Sequence, residues 1–211
     1  NRSLVALLVR AIPESTKSDR DINQAEFKRN LRSRYDCIDS NNSNTTKCMI
    51  LNRFFCTKDV RAAHLVSLQD RKVTQLLGFD SVWDARNGIL LYGDLDTHYG
   101  NLDLVFMPDP STHQIQLRVL YDDMLDKPLK PNINRRSIGI EGRGLVTYSD
   151  INLRYLALPN LVFPYRRALL RHAESAYSQM KISFKGHEIG LVNAPLDDAW
   201  GELVRLCASV S

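Results

Sequence analysis

An irregular α+β domain is the fold class this sequence predicts, and three observations predict it. Apolar runs of strand length stand beside stretches with helical spacing, so neither kind of element dominates. No internal repeat or heptad array is present. The chain of 211 residues, 44% apolar and 25% charged, suits one buried core and excludes disorder throughout or two large lobes.

The elements follow in order. Ser3 to Ile12 is an apolar-rich helix or buried strand stopped by Pro13, and Glu14 to Asn23 reads as a linker. From Gln24 to Tyr35, the residues Ala25, Phe27, Leu31 and Tyr35 recur at helical spacing and predict one buried face. Asp39 to Thr46 has no apolar residue and reads as an exposed loop. Lys47 to Cys56 is β-compatible, and Val60 to Ser67 is an apolar island around His64. Arg71 to Leu77 reads as a short helix and Val82 to Arg86 as a helical turn or irregular piece. Asn87-Gly88 is a turn signal before the run Ile89 to Tyr92. Asp94 to Asn101 predicts a short helix with Asp94 as its N-cap. Leu102 to Phe106 and Gln114 to Tyr121 read as a strand pair, and Asp122 to Arg136 as a Pro-containing connection. Three glycines argue against a regular element over Ile138 to Val146. Pro164 to Met180 and Leu196 to Ser209 predict two helices, the first with Pro164 in its opening turn. The organisation expected is 1–24 as N-terminal helix and linker, 25–106 as core, and 107–211 as an elaboration of the same domain.

Charge is distributed unevenly. Residues 1–58 carry 11 Lys/Arg against 6 Asp/Glu, residues 59–126 carry 5 against 11, and residues 127–211 carry 12 against 7. An acidic middle between basic flanks suits a cation site beside a polyanion surface, and ordinary charge scatter equally. Lys28, Arg29, Arg32 and Arg34 form one basic cluster, Arg166, Arg167 and Arg171 a second. No apolar run reaches the roughly 18 residues of a membrane span, so no membrane is expected as a partner. The first residue is Asn1 and not Met, which reads as a fragment or processed form. Cys37, Cys48, Cys56 and Cys207 form no CxxC pair, which leaves a four-thiolate zinc site unsupported. The sequons at Asn41 and Asn44 keep a secreted, disulfide-bonded reading open beside that of buried thiols in a reducing compartment.

One stretch carries chemistry. Arg61-Ala-Ala-His-Leu-Val-Ser67 is followed by Asn87-Gly-Ile-Leu-Leu91, then Asp94-Leu-Asp-Thr-His98, then Leu102-Asp-Leu-Val-Phe106. In order and spacing these resemble the HNH endonuclease family, especially its fungal-type branch, over roughly Ala25 to Phe106. The basic piece from Phe27 to Arg34 resembles the helix that precedes that core. Phosphodiester hydrolysis needs an activated water and a cation that neutralises charge on the phosphate. The resemblance therefore implies a ββα-metal hairpin, with His64 as general base and Asn87 pinning the loop or orienting the ring. Arg61 is the arginine expected near a scissile phosphate. By itself, a histidine in such an apolar island would read as a core residue.

The ligand set departs from the family pattern. The position before the base is Ala63, and the place of a second helix ligand is Gly100, neither with a donor. Asp96 takes the helix-ligand position, with Asp103 as helper; Asp94 with His98, at i and i+4, is the alternative pair, and a degraded site is the third. The cofactor implied is one divalent cation, Mg²⁺ first, with Mn²⁺ or Zn²⁺ open. DNA is the implied partner and an effector or toxin role an extension by analogy, in the nucleus or delivered outside the cell. A catalytically inactive nucleic-acid-binding or protein-interaction module on the same scaffold is the competing expectation.

Overall fold

A computed structural model describes residues 17–66, 81–109, 112, 114–130, 139–140 and 144–158, with 168, 169, 172, 173, 175 and 176. Helix α1 (Lys17–Arg34) is the first element among the described residues. Phe27, Leu31 and Tyr35 form its buried face, while Ala25 is exposed. Two residues along a helix is about 200° of rotation, so Ala25 cannot share the face of Phe27. The expected linker is also partly helical, because 17–23 holds neither Pro nor Gly and the packed turns propagate outward through it.

Strands β1 (Ile38–Asp39), β2 (Asn42–Cys48) and β3 (Arg53–Cys56) make an antiparallel sheet where an exposed loop was expected. The ladder uses backbone groups, so polar side chains do not forbid it, and Arg32 Nη2 ties β2 to α1 by donating to the Ser43 and Thr45 carbonyls at 3.0 Å each. Met49 to Leu51 are buried in the β2–β3 turn, not in a strand.

The centre is the antiparallel pair β4 (Val60–His64) and β5 (Gly88–Tyr92), with Val60 opposite Tyr92 and His64 opposite Gly88. Helix α2 (Gly93–Gly100) follows β5 directly and packs against both strands. Side-chain alternation sends Arg61 toward α2 and His64 toward α1. All five β5 residues are buried, which is why Gly88 to Tyr92 shows no polar alternation. Asp94 is not the cap of α2. That place falls to Tyr92, and Asp94 sits in the first turn, where its charge suits the helix dipole and its side chain faces a distant tyrosine.

Strands β6 (Leu104–Pro108) and β7 (Ile115–Val119) pair antiparallel, as the sequence predicts. Residues 153–156 run along the far side of β7: Leu117 donates to Arg154, Leu153 to Leu117 and Leu156 to Ile115. The expected Pro-containing connection holds a short helix, α3 (Asp122–Leu125). The glycine-interrupted stretch does form structure, since β8 (Gly139–Ile140) pairs with β9 (Gly144–Leu145); backbone pairing needs no side chains, and glycine hinders none. Helix α4 (Tyr148–Ile151) is closed by a capping box of Thr147 and Asp150. Residues 168, 169, 172, 173, 175 and 176 are helical, with Ala168, Leu169, Ala173 and Ala176 buried. The segments 3–12, 71–77 and 196–209 lie outside the described residues. Cys37 and Cys48 are buried thiols and Cys56 a half-buried one. Among the described residues no helix is long and apolar enough to cross a membrane.

Candidate functional site

His64 ends β4 with its ring enclosed by aromatics. It stacks on Phe27 of α1 at 4.1 Å between centroids and 14° between planes, and Trp83 meets it edge-on at 5.0 Å and 75°. Phe27 and Trp83 also touch, 5.9 Å apart. The Nε2 atom is buried with no hydrogen-bond partner among the described residues. Burial pushes the imidazole down to about 4, so the ring is neutral at physiological pH.

Gly88 is what lets Phe27 come so close. A Cβ there would overlap Phe27 Cζ and crowd Leu31 Cδ1 and the Ala63 carbonyl at 3.0 and 3.1 Å. Asn87, fully buried before β5, holds both sides of the hairpin's opening. Its Oδ1 accepts from Val66 N at 2.9 Å, and its Nδ2 donates to the Val66 and Val82 carbonyls at 3.3 and 2.9 Å. Its own carbonyl accepts from Leu65 N at 2.9 Å. Asn87 therefore organises the chain on either side of residues 67–80 and fixes the backbone that carries Trp83.

On the α2 side, each of the three candidate ligands already has a polar partner. Asp96 is ion-paired with Arg61 at 3.4 Å; burial pushes its carboxyl up and the guanidinium opposes that. Asp94 accepts from Tyr148 Oη at 2.7 Å and from Lys130 N at 2.9 Å. His98 Nδ1 lies 2.7 Å from Asp103 Oδ2, with the Tyr148 ring edge-on to it at 5.2 Å. Tyr148, pushed upward by burial and by the Asp94 hydrogen bond, is a donor and not a phenolate.

The basic cluster of α1 divides. Lys28 Nζ donates to the Thr57 and Val60 carbonyls, and Arg32 holds β2, so both serve the scaffold. Arg29 is exposed and pairs with Glu26 at 3.2 Å. The second basic cluster, Arg166, Arg167 and Arg171, lies outside the described residues. Sequence reasoning missed Trp83 and Tyr148, neither of which sits in a motif, and it read Phe27 only as core. His172 stacks on Tyr99 at 3.7 Å and its Nε2 donates to the Tyr99 carbonyl at 3.0 Å; burial pushes it down to about 4.

Among the described residues no three His, Cys, Asp or Glu side chains gather as a ligand cluster. Asp96 offers one carboxylate whose charge is poorly solvated. That donor fits a hard cation such as Mg²⁺, which keeps several waters and takes one or two carboxylates plus substrate phosphate, better than Zn²⁺, which takes three or four protein ligands. A scan against protein-family models finds no match, and neither a curated protein nor a solved structure matches this chain.

Proposed function

We propose that residues 25–106 form a ββα-metal, HNH-like endonuclease core that hydrolyses DNA phosphodiester bonds with little sequence preference. The observation that carries this reading is the arrangement around β4 and β5. A neutral histidine ends β4, a buried asparagine braces the loop opposite it, and a carboxylate stands on the helix that follows. The family pattern puts a ligand and the base at adjacent strand positions, hence on opposite faces. Ala63 and His64 keep that alternation, with Asp96 on the Ala63 side.

In this reading His64 takes a proton from water at Nδ1, because Nε2 is shut in, and the water oxygen attacks phosphorus as the leaving oxygen departs. Asn87 keeps the hairpin's mouth rigid while this happens. Arg61, more than half exposed, moves from Asp96 to a phosphate oxygen when substrate arrives. A divalent cation on Asp96 would supply charge neutralisation at the phosphate and the leaving oxygen. Phosphate contacts from Arg29, and from Arg166, Arg167 and Arg171, would give salt-sensitive binding without sequence reading. An effector or toxin role extends the same chemistry.

The test is nicking of supercoiled plasmid with Mg²⁺, Mn²⁺, Zn²⁺ or EDTA, alongside His64→Ala. Metal-dependent nicking that vanishes in the variant is expected; equal activity in His64→Ala would remove the base assignment. The absence of donors at Ala63 and Gly100 and the ion pair on Asp96 favour one second reading, a nucleic-acid-binding module without cleavage. It predicts a salt-dependent gel shift and no nicking under any condition.

A further inference from the structure

We propose that Phe27 and Trp83 are positioning residues for His64, fixing the plane of its ring and leaving Nδ1 as the nitrogen that meets solvent and substrate. This rests on the nuclease reading for its catalytic meaning, but the clamp itself is a geometric feature. Three observations converge on it. The Phe27 face is nearly parallel to the imidazole, and the Trp83 ring stands at 75° to it, so the ring is held from two directions by groups from separate parts of the chain. Both arms are themselves anchored. Phe27 can reach the ring only because residue 88 has no side chain, and Trp83 follows Val82, whose carbonyl accepts from buried Asn87. Finally, burial is what lowers the imidazole, and among the described residues Phe27 and Trp83 are the rings packed against it.

A core histidine that only filled space would have its polar atoms satisfied, as buried polar groups generally are. Here Nε2 has no partner among the described residues, so the packing rings hold the orientation where a hydrogen bond at Nε2 would. That is a costly way to hold an imidazole, and one that makes its proton affinity depend on two aromatic rings. Removing either ring should therefore change the chemistry of His64 more than its place in the fold.

The experiment follows the His64 ring by NMR titration in the full chain, with Trp83→Leu, Phe27→Leu and the conservative Trp83→Phe, and measures plasmid nicking across pH for each. The His64 midpoint is expected to rise by about one unit or more in the two leucine variants, toward the ordinary range, and by less than about half a unit in Trp83→Phe. In cleavage, kcat is expected to fall about 10-fold or more in the leucine variants, with KM within roughly twofold. A folded Trp83→Leu protein with an unmoved His64 midpoint overturns the clamp, even where Phe27→Leu fails to fold. Moved midpoints with unchanged kcat overturn the catalytic role. A wild-type protein that never nicks DNA removes the nuclease reading and the positioning role with it, while the titration still decides the clamp.

Discussion

At the scale of single residues, the predictions concern His64, Asn87 and Gly88. With the imidazole held down to about 4, the acid limb of the nicking rate should lie near that pH, well below an ordinary histidine limb; an inflection near 6.5 would contradict this environment. Asn87→Ala removes three hydrogen bonds and leaves Val66 N and Val82 O buried and unpaired. It should cost about 2–4 kcal/mol in urea unfolding. Gly88→Ala forces Phe27 off His64 and should cost about 1–3 kcal/mol, with the His64 midpoint moving upward in the same protein. The positions of His64 and Asn87 were legible because an apolar run interrupted by one histidine, and Asn-Gly before another apolar run, are local patterns. Their environment was not. Trp83 belongs to no motif, and its approach to Phe27 across a sequence separation of 56 depends on tertiary packing that periodicity does not encode. Asp94 shows the reverse failure: a good capping residue by local preference is drawn to Tyr148 by a long-range hydrogen bond.

Among elements, α2 is the most informative. Asp96 and Gly100 share a helix face, and a Cβ at Gly100 would meet nothing within 4 Å among the described residues. Gly100→Asp should therefore fold normally and bind Mg²⁺ or Mn²⁺ about 10-fold more tightly than wild type by calorimetry, since a second carboxylate joins the first. Unchanged affinity would show that Asp96 does not hold the ion. Tyr148→Phe removes one hydrogen bond to Asp94 and should cost about 1–2 kcal/mol, read by thermal unfolding. Elements with strong local signals were readable: α1 from Phe27, Leu31 and Tyr35, and the β6–β7 pair from two apolar runs around a Pro-containing turn. β2 was not, because its Asn, Ser and Thr residues look like loop, and the α1 arginine that ties it down lies 11 and 13 residues away. Pairing of β8 and β9 escaped for a similar reason, as glycine is disfavoured in strands and argues against one in sequence.

For the whole molecule, acid is the informative perturbation. His64 and His172 are both buried neutral near 4, against an unfolded value of 6.5. Between those limits the unfolded chain binds protons that the native one refuses. Stability is therefore complete above about pH 6.5 and declines as pH falls toward 4, by roughly 2–4 kcal/mol for each ring. Asp96, pushed upward, works in the opposite sense at the acid end. Urea midpoints measured from pH 8 to 4 should fall accordingly, and His172→Gln should flatten the slope by about half; a pH-independent midpoint would contradict both assignments. The segment along β7 also has a meaning for the molecule in company. Leu153, Arg154 and Leu156 occupy the backbone groups of an outer strand that would otherwise pair with any extended neighbour. A chain ending before residue 153 would expose that strand as a template for self-association, and the first sign of the loss would be aggregation at concentrations where the intact protein stays dispersed.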